Sequence, residues 1–174
     1  MATVPISNLS IVNDCNPMST QKTERELGFI IVTHGDIGES LLAVAEYILG
    51  RKLDNFVAVK VPFMGELQHV IDSNCHAPFA ERRQLIKEQI RKAKNQVAKG
   101  CGIIVLTDLF GGTGFTVASE FLASDQGVII AGVNLPMVLK AAEVKQGSLV
   151  EVAVDLAERS RKAVVCRLPP FLPG

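Results

Sequence analysis

The chain of 174 residues reads as one α/β domain, a doubly wound, mainly parallel sheet with helices on both faces. Two observations predict it. From Gly28 onward, short β-branched runs alternate with longer stretches of helical period, which is the pattern of βαβ units. In addition, two apolar runs, Gly28-Phe29-Ile30-Ile31-Val32-Thr33 and Gly102-Ile103-Ile104-Val105-Leu106-Thr107, run directly into His34 and Asp108. Open parallel sheets gather ligands outside the carboxyl ends of their strands, so both residues fall where such a sheet presents its chemistry. The length suits one well-packed domain and is short for two.

The elements follow in order. Residues 1–26 are polar and without sustained period, a flexible leader; the domain is expected over 27–168, with 169–174 as a tail. After the first strand, Ile37, Leu41, Val44, Ala45 and Ile48 form one apolar face of a helix over 36–49, and Gly50 stops it. Phe56–Val61 is the second strand, closed by Pro62, whose ring has no N–H for a ladder. Residues 62–78 are a connection with one helical turn at 66–72. A long helix over 79–99 carries Phe79, Ile86, Ile90, Ala93 and Val97 on its inner stripe. Its other face holds Arg82, Arg83, Lys87, Arg91, Lys92 and Lys94, and reads as a solvated face in preference to a docking patch for an acidic partner. The third strand and its glycine turn lead to a helix over 113–123, a fourth strand over 127–131 and a helix from Pro136 to Val144. A helix over 148–161 precedes a last strand at 163–168, which lies at an edge or pairs with a second subunit.

Composition narrows the function. Lys plus Arg and Asp plus Glu number 18 each, so no net charge supplies a broad field for nucleic acid or an anionic membrane. No segment approaches the roughly 18 to 20 uninterrupted apolar residues that span a bilayer. The N-terminus lacks a basic stretch followed by an apolar one, so a cytoplasmic location is expected. Cys15, Cys75, Cys101 and Cys166 are far apart and read as free thiols, and Cys75-His76 is a loop pair without a third ligand. Neither metal nor cofactor is expected.

His34, Asp108 and the turn Gly111-Gly112-Thr113 converge if the first and third strands are neighbours. A carboxylate that accepts one imidazole N–H fixes the tautomer and leaves the other ring nitrogen outward. The unpaired N–H groups at a helix start, with the Thr113 hydroxyl, stabilise an anion. The combination suits phosphoryl transfer, which needs mainly in-line positioning and charge stabilisation. Each part has a plainer explanation: glycine pairs make tight turns, and an Asp after a strand caps helices. No structural need, however, asks for imidazole between Thr33 and Gly35. His69 and His76 read as loop residues. No Gly-x-Ser-x-Gly elbow and no Gly-x-x-x-x-Gly-Lys loop occurs, which disfavours a serine hydrolase and direct nucleotide hydrolysis.

At these residues the chain resembles the mannose-family enzyme IIA domain of the bacterial sugar phosphotransferase system. Val32-Thr33-His34-Gly35 is similar to the family's phosphohistidine segment. Thr107-Asp108-Leu109-Phe110-Gly111-Gly112-Thr113 and Ala131-Gly132-Val133-Asn134-Leu135-Pro136-Met137 are similar to two further segments, in the same order and spacing. The resemblance implies a homodimer whose antiparallel C-terminal edge strand is exchanged between subunits. It implies that His34 accepts a phosphoryl group on Nε2 from the phosphocarrier protein HPr and passes it to a histidine of an EIIB protein during sugar uptake. Asp108 matches the orienting carboxylate, Gly111, Gly112 and Thr113 the phosphate-binding turn, and Phe110, Asn134 and Pro136 are expected to face partners. A membrane permease would be met only indirectly. The family usually continues after the turn with Pro, then a polar residue with Asn; this chain has Gly114-Phe115-Thr116. Two other roles share these residues: a free-standing regulatory IIA whose phosphorylation state controls a partner, and the phosphotransfer subunit of dihydroxyacetone kinase.

Overall fold

Strand β1 (Gly28–His34) is apolar along nearly its whole length because it is covered on both sides: Phe29, Ile30, Ile31 and Val32 are all buried. The computed structural model describes residues 26–63, 78–98, 100, 102–123, 127–144 and 147–167. Around β1 stand β2 (Phe56–Val61), β3 (Ile103–Thr107) and β4 (Gly127–Ala131), all parallel, in the order β2-β1-β3-β4. The chain leaves β1 toward β2 and later returns to the other side of β1 as β3. The strand order therefore reverses between β1 and β3, the place where such sheets bind ligands.

Five helices cover the described sheet: α1 (Ile37–Leu49), α2 (Pro78–Val97), α3 (Thr113–Leu122), α4 (Leu135–Ala141) and α5 (Leu149–Lys162). Strand pleating splits their work. Phe29, Ile31, Ile104 and Leu106 pack on one face against α1, α4 and α5, through Ala45, Met137, Val138 and Leu156. Ile30, Val32, Ile103 and Val105 pack on the other against α2 and α3, through Ile86, Ile90, Val97, Val117 and Phe121. Each such aliphatic side chain contributes about 1.5–3 kcal/mol of transfer free energy. The sheet is doubly wound, as the residue pattern predicts.

Local chemistry sets the boundaries. Gly50, at φ 64°, ends α1 in the left-handed conformation, and its N–H donates to Glu46 and Tyr47 carbonyls. Asn134 Oδ1 accepts from Met137 N at 2.9 Å and starts α4. Ser148 and Glu151 form a reciprocal capping box at the start of α5.

Several expectations are corrected. Residues Ala163–Arg167 are exposed and pair with no described strand of their own chain, which removes the edge-strand alternative and leaves pairing with a second subunit as the expectation. Helix α4 spans Leu135–Ala141, beginning before Pro136 and ending short of Val144. On α1, Ile37, Val44 and Ile48 are exposed with Tyr47; the helix is apolar almost all round, and Leu41, Leu42, Ala45 and Leu49 are the side that meets the core. On α2, Phe79 is exposed, and the buried stripe is Arg82, Ile86, Ile90, Ala93 and Val97, so Arg82 leaves the solvated face assigned to it. Residues 1–25, the turn at 66–72, His69, His76, Cys15, Cys75 and Cys101 lie outside the described residues; Cys166 is an exposed free thiol.

Candidate active site

His34 is the last residue of β1 and Asp108 follows the last residue of β3, adjacent strands in register, so the sheet itself brings together residues 74 positions apart. One oxygen makes both contacts. Asp108 Oδ2 accepts from the His34 backbone N–H at 2.8 Å and lies 2.9 Å from Nδ1 of its ring. Both side chains are partly covered, at 28% and 18% exposed, enough to strengthen the pair while leaving the imidazole reachable. Burial pushes the Asp108 carboxyl up, but the hydrogen bonds from the His34 backbone and ring, the ring's charge and the Leu109 N–H together hold it below the usual carboxylate range. Asp108 is therefore an anion at neutral pH. With Nδ1–H directed at it, Nε2 is the ring nitrogen left for chemistry.

Alternation along β1 places His34 on the face of Ile30 and Val32, the face that α2 and α3 cover. The start of α3 stands beside the ring: a Cβ built on Gly112 would lie 3.5 Å from His34 Cε1. Gly111, at φ 75°, makes the left-handed turn that brings it there. The Gly112 N–H closes that turn on the Leu109 carbonyl at 3.2 Å. The first regular helical bond is Thr116 N to Gly112 O at 2.9 Å. Thr113, Gly114 and Phe115 therefore keep the unpaired N–H groups of a helix start, and Gly112 at the cap has no side chain to occupy them. The other helix start nearby is filled: the Thr33 hydroxyl accepts from Gly38 N at 2.7 Å, and Asp36 pairs with Lys60 at 3.0 Å.

The departures from the family pattern have local roles. A Cβ on Gly114 would meet Val61 Cγ2 at 3.1 Å and Val32 Cγ1 at 3.2 Å, so α3 lies unusually close to the sheet. The Thr116 hydroxyl bonds to the Gly112 carbonyl at 3.0 Å, and the Phe115 ring packs on Phe110 at 4.8 Å between centroids.

Exposed apolar side chains stand just past the strand ends, at the same end of the sheet as His34 and Asp108. Phe110 is 73% exposed, and Leu109 and Phe63 are also exposed, with Phe63 lying over Gly35. Leu109 and Phe63 were not anticipated as site residues; large apolar residues just past the ends of β2 and β3 were the available signal. Asn134 and Pro136 belong to the neighbouring β4–α4 loop, where Gly132 and Val133 N–H groups bind the Thr107 carbonyl at 2.8 and 2.9 Å. Pro136 is exposed, whereas Asn134 is engaged in capping α4. Among the described residues no group of three side chains is arranged to hold a metal ion, and no helix is long and apolar enough to cross a membrane.

A histidine–carboxylate pair and an open helix start at the switch point of a parallel sheet form an α/β site whose chemistry suits an anionic group such as a phosphoryl. The family model described as PTS system fructose IIA component matches residues 28–158, and the chain belongs to this family, the mannose-type IIA proteins of the sugar phosphotransferase system. It is 29% identical over 121 residues to the PTS system fructose-specific EIIA component of Bacillus subtilis, covering 69% of this chain and 71% of that one. It is 27% identical over 144 residues to the PTS system mannose-specific EIIAB component of Escherichia coli, covering 79% of this chain but only 39% of that longer protein. Among solved structures, the mannose/sorbose specific IIA subunit from Enterococcus faecalis superposes with a TM-score of 0.64 at 23% identity, over 85% of this chain and 99% of that one. The phosphotransferase system component EIIA from Streptococcus agalactiae gives 0.61 at 21%, over 80% and 96%. These two likenesses establish the fold.

Proposed function

We propose that the protein is a phosphohistidine carrier: His34 accepts a phosphoryl group from phospho-HPr and donates it to a histidine of an EIIB protein during sugar uptake. The observation that carries this reading is the His34–Asp108 pair, which leaves Nε2 free beside the open start of α3. Nε2 attacks the phosphorus of the donor's phosphoimidazolium; the new P–N bond forms as the donor's P–N bond breaks, and the donor leaves as neutral imidazole. His34 becomes the phosphoimidazolium without any proton moving, because Nδ1 keeps its hydrogen on Asp108. The carboxylate balances the ring's new positive charge, and the N–H groups of Thr113, Gly114 and Phe115, with the Thr113 hydroxyl, face the phosphoryl oxygens. Transfer to EIIB reverses these events on a new acceptor.

Phe110, Leu109 and Phe63 supply an apolar surface on which both partners dock in turn, with Pro136 on the neighbouring loop. The carrier acts in the cytoplasm and meets a permease only through EIIB. Its domain runs from 27 to 168, and it works as a homodimer: Val164 and Val165, 79% and 80% exposed, and the outer α1 face of Ile37, Val44, Tyr47 and Ile48 support a second copy.

The test is incubation with enzyme I, HPr and phosphoenolpyruvate, followed by mass mapping of acid-labile phosphate. One phosphate on His34, absent from His34→Ala, is the expected result. Phosphate retained by His34→Ala, or none on the native chain, overturns the reading.

A further inference from the structure

Two buried polar groups without partners lie at the same end and on the same face of the sheet as His34. Arg82 is 6% exposed, yet its Nε has no hydrogen-bond partner, and Thr107, fully buried, leaves its hydroxyl unpaired. No carboxylate among the described residues pairs with Arg82, whereas its neighbour Arg83 is bound to Glu120 of α3. Burying a guanidinium N–H without an acceptor is costly, and an anion placed against it would remove that cost.

The geometry puts that arginine at the level of the site. Helix α2 begins at the carboxyl end of β2 and descends antiparallel to the strands, and at its base a Cβ on Gly28 would lie 2.7 Å from the Val97 carbonyl. From Val97 back to Arg82 the helix rises about 22 Å. From Gly28 to His34 the strand rises about 20 Å. Arg82 thus comes level with His34, one turn beyond Ile86, on the face that Ile30 and Val32 share with the imidazole. Thr107 lies at that end too, opposite Val32 in the β1–β3 register.

We infer that Arg82 is a ligand of the phosphoryl group carried on His34, its guanidinium pairing with phosphoryl oxygens on the side opposite the α3 N–H groups. This rests on the carrier reading above. A phosphohistidine brings the dianion that the buried cation lacks, and a planar guanidinium matches two of its oxygens at once. The Arg82 Nε lacks a partner in the unphosphorylated protein and the guanidinium is paired with the phosphoryl group in the phosphorylated one, so it favours the loaded carrier.

The experiment measures phosphoryl transfer from phospho-HPr to the full chain, as native protein, Arg82→Gln and Arg82→Lys, at low and high salt. The native chain should load on His34. Arg82→Gln should shift the HPr–carrier equilibrium on the order of tenfold toward phospho-HPr and flatten its salt dependence, and Arg82→Lys should recover part of the loss. A native chain that takes no phosphate defeats the carrier reading itself. A native chain that loads while Arg82→Gln matches it defeats the arginine's role and leaves the carrier intact. If Arg82→Gln does not fold, the assigned Nε–H resonance of Arg82 in the native protein decides: a shift on phosphorylation supports the pairing, and no shift overturns it.

Discussion

Asp108 does two jobs with one oxygen, and its ionisation couples them to pH. Its carboxyl is held below the usual range by the His34 contacts despite burial. A depressed carboxyl contributes stability that is fully present above its unfolded value, about 3.9, and is lost as pH falls through the lower folded value. Asp108→Asn should therefore be less stable than native at neutral pH, with the gap closing as pH falls below the unfolded carboxyl value and through the lower folded one. Urea denaturation at a series of pH values checks this; a gap constant with pH would place the effect in packing. The same substitution removes the anion that fixes the tautomer and should slow loading from phospho-HPr by on the order of tenfold or more. His34 and Asp108 were legible in the sequence because each stands where an apolar run stops. Arg82 was not: its charge and spacing fit the outer face of α2 as well as the inner stripe, and only the arrangement of α2 on the sheet decides between them.

Helix α3 shows how an element's start is tuned by one residue. Proline at 114, the family's usual residue, disfavours helical geometry at the residue before it. With Gly114, helix begins at Thr113, and position 114 keeps an N–H. Comparing Gly114→Ala with Gly114→Pro separates two effects, since both add a Cβ within 3.1–3.2 Å of Val61 and Val32 and only proline removes the donor. Both should lose about 1–3 kcal/mol of stability in urea denaturation. Gly114→Pro should in addition load phosphate severalfold more slowly than Gly114→Ala, measured as the single-turnover rate from phospho-HPr; equal rates would show that this N–H does not touch the phosphoryl group. The glycine turn itself was legible, but the engagement of the Gly112 N–H by Leu109 was not, because a turn's internal bond depends on φ and ψ that Gly-Gly leaves open.

At the scale of the molecule, the doubly wound sheet could be read from alternating runs, and the β1–β3 adjacency that makes the site follows from that order. The final strand could not, since a ladder is a property of two segments and the residue pattern at 163–168 describes only one. Val164 and Val165 remain exposed beyond α5, and α1 shows an apolar outer face. Sedimentation of the full chain should give a dimer, and removal of residues 163–174 should give a monomer or a concentration-dependent mixture. A full-length monomer, or a truncated dimer of unchanged stability, would remove the C-terminal segment from the interface.

Asp108 Oδ2 grips His34 by its backbone as well as by its ring, so the imidazole takes its orientation from the ends of two central strands. The rim is built differently: Phe63, Leu109 and Phe110 sit on the loops and turns just past the strand ends, outside the sheet. Mutations that recruit a new partner can accumulate on those turns without altering the reacting atoms. A lineage built on this plan can exchange its correspondents while its chemistry stays constant.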